Sequence, residues 1–331
     1  MSEQKSPTKI SFVIPCYRSQ GTIETVVNEI RETVAAQNAK QVSSTPPLQG
    51  SAQNDKRVFD YEIVLVNDCS PDNVWDVIKS LAAADPKIKG ICLAKNFGQH
   101  CALMAGYGAA TGDYVVSLDD DGQTPASETF KLVNKLEEGF DVVYGYYQHK
   151  KEHLFRRFGS WTNKKMAESI IGQPRTLQTT SFFIMRKFIV EEIVRYPNPF
   201  AYISGLVFRA TKNLGNVEVE HRNRLEGTSG YTIAGLIRLW INGFTAFSVT
   251  PLRFATIAGI ICAIVGLAAG GFVVYEKFMR PEIPVGYTSL LATLLFVGGM
   301  IMLLLGMIGE YVGRIYISIN QSPQYVIREK V

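Results

Sequence analysis

The chain has 331 residues, room for two ordinary domains or one with additions, and its 34 Lys and Arg against 30 Asp and Glu leave a formal charge of +4. So even a balance offers no basic footprint for nucleic acid, which is excluded as a partner. Cys16, Cys69, Cys92, Cys101 and Cys262 form no C-x-x-C pair, which argues against a zinc site or a disulfide framework and suits a reduced compartment. The polar residues 1–9 lack the apolar core of a secretory signal, so the bulk of the chain is expected in the cytosol.

In chain order, Ile10-Ser11-Phe12-Val13-Ile14-Pro15 reads as a short apolar strand. Residues 22–36 have helical spacing, with Ile23, Val26, Val27, Ile30 and Val34 as the apolar positions. Residues 37–57, rich in Gln, Ser, Asn and Pro, read as a mobile surface loop. A second strand, Glu62-Ile63-Val64-Leu65-Val66, ends at Asn67-Asp68; residues 75–84 read as a helix, 88–93 as a third strand and 99–110 as a helix. This alternation predicts an α/β fold with a parallel sheet and helices on both faces. Such sheets bind ligands at the carboxyl ends of their strands, which would gather Pro15, Cys16, Tyr17, Asp68 and Asp119 on one edge.

The next strand, Val115-Val116-Ser117-Leu118, ends abruptly in Asp119-Asp120-Asp121. Three adjacent carboxylates repel one another unless a cation sits among them. Asp119 and Asp121, with an oxygen from Gln123, have the chemistry to hold Mg²⁺ or Mn²⁺ together with the phosphates of a substrate; a solvated acidic turn is the plainer alternative. Gly106-Tyr107-Gly108-Ala109-Ala110-Thr111-Gly112 is not a dinucleotide fingerprint, because it has one residue too many and follows a helix rather than opening one. A nucleotide can be held without that loop: Asp68 can accept hydrogen bonds from a base or ribose, and Lys95 can bring a cation to a diphosphate. Asp68 also suits a plain turn in Asn-Asp-Cys-Ser-Pro-Asp.

Two later runs, 254–275 and 285–309, contain no charged residue and are long enough to cross a bilayer core. The segment between them carries Pro281 and Pro284, which break the helix, so the expectation is a two-helix hairpin with both ends on one face. Lys277 and Arg280 in the loop weaken the positive-inside signal against Arg253 and Arg314, and the cytosolic assignment of the ends rests on the missing signal sequence. Gly266 with Gly270, and Gly309 with Gly313, have the spacing of close helix contacts. Residues 150–165 interleave six cations with Leu154, Phe158 and Trp161, a pattern for a helix in the membrane interface or against the soluble core. The expected plan is a cytosolic catalytic domain over 1–230, an interfacial helix over 231–252, membrane helices over 253–276 and 285–312, and a cytosolic tail over 313–331.

Taken together, Pro15-x-Tyr17, Asn67-Asp68-x-Ser70-x-Asp72, Asn96-Phe97-Gly98-Gln99-His100, Asp119-x-Asp121-x-Gln123 and Gly309-Glu310-Tyr311-Val312-Gly313-Arg314-Ile315-Tyr316 resemble the polyprenyl-phosphate glycosyltransferases of glycosyltransferase family 2. The resemblance spans nearly the whole chain. It implies a GT-A fold, a Rossmann-like and mostly parallel sheet, with a C-terminal two-helix transmembrane hairpin. It implies a nucleotide sugar as donor, a uridine one first, with Pro15, Tyr17, Asp68, Lys95, Asn96 and Asp120 as nucleotide contacts and Asp119, Asp121 and Gln123 at the metal. A polyprenyl phosphate in the membrane is the implied acceptor, and the product is its sugar phosphodiester, formed with inversion for cell-envelope glycans. A homo-oligomer in a bacterial inner membrane is the implied setting.

The family's Arg-x-x-Gly-x-Ser-x-Tyr pattern is matched at Arg224, Gly227, Ser229 and Tyr231. Arg222, Arg224 and Ser229 are therefore candidates for the lipid phosphate, because guanidinium binds phosphate bidentately and keeps its charge. Two departures stand out. Gly230 replaces a frequent lysine, and Thr180 stands where many relatives carry an aspartate proposed as general base. A phosphate monoester, with a second pKa of about 6, needs little help in losing its proton. Activity through Asp121, Arg222 and Arg224 is thus the favoured expectation. A catalytically silent nucleotide-sugar or lipid-binding partner is the alternative; a processive polysaccharide synthase is disfavoured, since no Gln-x-x-Arg-Trp segment is present.

Overall fold

The computed structural model describes residues 7–43, 58–147, 174, 177–199, 201–222, 250–279, 286–320 and 322–331. The first unit holds the strands β1 (Thr8–Cys16), β2 (Phe59–Asn67), β3 (Ile88–Leu93), β4 (Tyr114–Ser117), β5 (Val142–Tyr146), β6 (Phe183–Arg186), β7 (Leu214–Glu218) and β8 (Ile327–Lys330). They form one sheet in the order β7-β5-β6-β4-β1-β2-β3-β8. β1, β2, β3 and β4 are parallel neighbours, as the βα alternation predicts, and β5 and β7 pair in parallel. β6 and β8 run against their neighbours, so the sheet is mixed rather than wholly parallel.

Helices α1 (Ile23–Ser43), α2 (Val74–Ala84) and α4 (Thr129–Glu137) cover one face, where Ile10, Phe12 and Ile14 of β1 meet Ile23, Val27, Ile78 and Leu132 in the buried core. Period-2 alternation sends Val13 to the other face, against α3 (Gln99–Tyr107). α5 (Lys187–Val194) packs beside α3, and α6 (Ile203–Ala210) packs on α5. α3 lies close because Gly106 has no side chain: a Cβ there would come within 2.3 Å of Val13 Cγ1. The glycines rejected above as a dinucleotide fingerprint do two jobs. Gly106 seats α3 on the sheet, and the helix stops at Tyr107, short of the expected residue 110.

The expected loop over 37–57 is corrected at its start. α1 runs on to Ser43, anchored where Asn38 Nδ2 donates to Phe59 O and Phe59 N donates to Asn38 Oδ1, both at 2.9 Å. Residues 44–57 lie outside the described residues, as do residues 150–165 and 231–249 with their expected interfacial helices. The tail is also corrected: residues 313–319 continue a helix and Ile327–Lys330 is the sheet's edge strand β8.

The chain divides into Met1–Gly230 with Gln321–Val331, and Tyr231–Asn320. The second unit contains α7 (Thr250–Met279) and α8 (Tyr287–Ile319). α7 thus takes in residues 250–252, assigned above to the interfacial segment; Pro251 sits in its first turn, where no amide hydrogen is needed. Windows Ala255–Phe272 and Phe296–Gly313 have mean hydropathy 2.1 and 1.7. Ile257, Ile264, Phe272, Leu294, Phe296 and Met302 are each more than half exposed. A core helix of a soluble protein would bury such residues, so bare apolar helices of this length fit a bilayer. A Cβ at Gly266, Gly270, Gly309 or Gly313 would meet nothing within 4 Å, so these glycines mediate no close contact among the described residues.

Gly106→Ala is expected to push α3 off β1 and cost ~1–3 kcal/mol. Thermal unfolding in detergent checks this, with Gly108→Ala, where the nearest atom lies at 3.5 Å, as the mild comparison.

Candidate active site

The carboxyl ends of β1, β2, β3 and β4 each lead into a turn, and hydrogen bonds close these four turns into a ring. Asp120 Oδ2 accepts from Tyr17 N at 2.9 Å, and its carbonyl accepts from Thr22 Oγ1 at 2.6 Å, tying the β4 turn to the β1 turn. Arg18 N donates to Ser70 Oγ at 2.8 Å, tying β1 to β2. Asp68 Oδ1 and Oδ2 accept from Phe97 N at 2.7 Å and Gly98 N at 2.8 Å, tying β2 to β3. Gln99 Nε2 donates to Asp119 Oδ1 at 3.0 Å and returns the ring to β4.

The turn chemistry explains the motifs. Ser70 N donates to Asn67 Oδ1 at 2.9 Å, Ser70 Oγ to Asp72 Oδ1 at 2.6 Å, and Gln20 N to Asp72 Oδ2 at 3.0 Å. Cys69 and Arg18 take positive φ, 51° and 58°, a conformation such dense bonding can hold. The Asn-Asp-x-Ser-x-Asp segment therefore builds the turn as well as offering ligands. Asp68 is 4% exposed, and burial raises its carboxyl pKa against the two amide bonds that lower it.

The three consecutive acids, each half-buried, divide by partner. Asp120 meets the β1 turn, and desolvation, followed by the charges of Asp119 and Asp121, pushes its carboxyl up to about 6 despite the Tyr17 amide. Asp119 is half-buried and also accepts from the Ser181 hydroxyl. Asp121 Oδ1 accepts from Gln123 N at 3.0 Å, with Gly122 at φ 68° making the bend. Lys95 and Asn96 are exposed at the end of β3, and Lys95 Nζ lies 4.9 Å from the Phe97 ring centre. Tyr17, 44% exposed, lies in the β1 turn, following the last residues of β1, Pro15 and Cys16.

Arg222 reaches the acid turn through its backbone: its N donates to Gln123 O at 2.7 Å. Its guanidinium instead pairs with Glu29 Oε1 of α1 at 3.0 Å. Thr180 Oγ1 lies 2.7 Å from Gly145 O and 3.0 Å from Phe182 O, a donor to backbone rather than a proton acceptor. Arg224 and Ser229 lie outside the described residues. Sequence reasoning gave no role to Gln99, Ser181 or Tyr147. Tyr147 OH bonds Thr124 Oγ1 at 2.6 Å, its ring stacks 4.3 Å from His221, and its pKa is raised by burial and by Asp119 and Asp121. These partners are 20 to 62 residues distant from the acids or threonine they meet, so only Gln99, inside a quoted motif, left a signal.

Residues 11–194 match the family described as glycosyl transferase family 2, more than half the chain. The chain belongs to glycosyltransferase family 2. Residues 250–315 match the GtrB C-terminal hairpin. Over its full length this glycosyltransferase is 30% identical to the undecaprenyl-phosphate 4-deoxy-4-formamido-L-arabinose transferase of Yersinia enterocolitica serotype O:8 / biotype 1B, covering 96% of that protein. It is 28% identical to the prophage bactoprenol glucosyl transferase homolog of Escherichia coli K12, over 97% of this chain and 98% of the relative. Among solved structures, glucosyl-3-phosphoglycerate synthase from Mycobacterium tuberculosis with uridine diphosphate aligns over 69% of this chain and 75% of its own, at 15% identity and TM-score 0.45.

In this family 2 transferase Asp120 makes a pH-dependent contribution. Its folded pKa lies above the ~3.9 of a free aspartate, so the folded chain keeps a proton that the unfolded chain has released between about pH 4 and about pH 6. Stability should fall as pH rises through that window. Unfolding in chelator will show the slope, and Asp120→Asn, which keeps an oxygen for Tyr17, should flatten it; an unchanged slope would assign the titration elsewhere.

Proposed function

We propose that this chain transfers a sugar from a nucleotide sugar, a uridine diphosphate sugar first, to the phosphate of a polyprenyl lipid, with inversion at the sugar carbon. One observation carries the reading: a family 2 strand edge bearing Asp119 and Asp121 belongs to a chain with two long helices whose apolar residues are bare. A phosphate on a lipid anchor calls for both features in one enzyme. The relatives named for undecaprenyl phosphate and bactoprenol, aligned over nearly the whole chain, support that acceptor. Their bacterial origin supports placement in a bacterial inner membrane, with the catalytic unit on its cytosolic face.

A divalent ion fits the residues present in a limited sense. Among the described residues no group of three or more His, Cys, Asp or Glu side chains forms a full protein cage. Asp119 and Asp121 supply hard oxygens, which suits Mg²⁺ or Mn²⁺ completed by Gln123, water and the donor's phosphates. Such an ion, when bound, neutralises charge on the departing nucleoside diphosphate.

The remaining tasks fall to the chain. Lys95 and Asn96 face the diphosphate, Pro15, Tyr17 and Asp68 frame the nucleoside, and Arg222, Arg224 and Ser229 serve the lipid phosphate. Arg222 must leave Glu29 to do so. Thr180 supplies no base, and none is needed: with a second pKa of about 6 the acceptor phosphate is already largely anionic at neutral pH. Its oxygen attacks the anomeric carbon in line while the nucleoside diphosphate leaves from the opposite side, one C–O bond forming as one breaks.

Purified chain in detergent, given undecaprenyl phosphate, Mn²⁺ and a panel of labelled UDP- and GDP-sugars, should yield acid-labile label in the organic phase. Chelator should stop the transfer, and Asp121→Ala should slow it on the order of a hundredfold. Thr180→Asp should leave the rate within about tenfold, because the base contributes little to an anionic nucleophile. Donor binding with no transfer from any sugar would overturn the reading in favour of a silent binding partner.

A further inference from the structure

The strand β8 lies outside both family matches, which end at residues 194 and 315, yet it closes the sheet beside the donor-side turn. It pairs antiparallel with β3 through Ile91 with Lys330, Cys92 with Glu329, and Leu93 with Ile327. The register shifts between Cys92 and Leu93, so Arg328 is an extra, bulged residue with no partner across the ladder. Bulges re-aim side chains. Here Arg328 Nη2 donates to Ala94 O at 2.8 Å, and Ala94 N donates to Val326 O at 2.8 Å.

Both backbone polar groups of Ala94 are thus held by the β8 segment, at the residue immediately before Lys95. Three residues on, Phe97 N and Gly98 N are held by Asp68. The turn carrying Lys95 and Asn96 is therefore fastened at one end by β8 and at the other by β2. The strand itself is anchored away from the turn: Gly90 and Val331 exchange two backbone bonds at 2.8 and 2.9 Å, and Trp75 Nε1 donates to Glu329 Oε2 at 3.0 Å. A Cβ on Gly90 would come within 2.6 Å of Val331 Cγ2, so that glycine leaves room for the strand.

We propose that β8 is a positioning element of the donor site, with Arg328 fixing the turn that presents Lys95 and Asn96 to the diphosphate. The inference rests on the nucleotide-sugar reading above. Without Arg328, Ala94 O loses a charge-assisted bond and keeps only the Cys69 thiol at 3.9 Å, so that Ala94 N, donating to Val326 O, is left as the one bond from the β8 segment to this residue.

The test is calorimetric titration of the full chain in detergent and Mn²⁺ with UDP and with GDP, using wild type, Arg328→Ala, Arg328→Lys and Glu329→Ala. Arg328→Ala should weaken the diphosphate that wild type binds about threefold to tenfold, the scale of one lost bond, and Arg328→Lys should recover most of that loss. Glu329→Ala loosens the same strand on its far side and should leave the affinity nearly unchanged. Amide exchange at Phe97 and Gly98 should quicken in Arg328→Ala only. Unchanged affinity in Arg328→Ala, or an equal loss in Glu329→Ala, would overturn the proposal and leave β8 as a cover for the sheet edge. A wild-type chain that binds neither diphosphate would overturn the nucleotide reading and this inference with it.

Discussion

Repulsion among Asp119, Asp120 and Asp121 is the constraint from which the edge of the sheet is built. Three carboxylates in succession repel one another, and the chain gives each, all half-buried, a different donor: the Tyr17 amide for Asp120, Gln99 and Ser181 for Asp119, and the Gln123 amide for Asp121. The Asp120 bond fastens β4 to β1. Bonds from Arg18, Asp68 and Gln99 then carry the fastening through β2 and β3 and back to Asp119. Each turn is held by its neighbours as well as by bonds within its own sequence, so the acids are placed by a closed circuit. Such mutual support preorganises a site for charge that develops during reaction.

The amino ends of the same strands are treated in the opposite way. Glu62, 2% exposed, accepts from Ser11, Thr111, Lys9 and Lys89. Burial works against its charge, yet these donors hold its carboxyl well below the usual range. A buried carboxylate with four donor residues closes that end of the sheet, whereas Asp119 and Asp121 stand half-buried beyond the carboxyl end of β4.

The second unit follows a different economy. Its helices keep Ile257, Phe272, Leu294 and Met302 bare, which water would penalise and lipid does not. Family 2 chemistry combined with such helices directs attention to an acceptor that is both anionic and lipid-anchored. Arg222 is seated by its backbone on the acid turn and paired through its guanidinium with Glu29.

Much of this was legible in the sequence, because the signals were local. Short apolar runs gave β1 to β4, helical spacing gave α1 to α3, two uncharged stretches gave the long helices, and Asp119-x-Asp121 named the acids. Tertiary structure alone decided the rest. It set β6 and β8 antiparallel in the sheet and carried α1 past residue 36, since Asn38 finds Phe59 only when β2 lies beside it. It also decided which acid takes the Tyr17 amide, placed Ser181 on Asp119, and bulged Arg328 toward Ala94. Periodicity along a chain reports which face of an element is buried; which partner meets that face depends on contacts between residues far apart in sequence, and no local pattern encodes them.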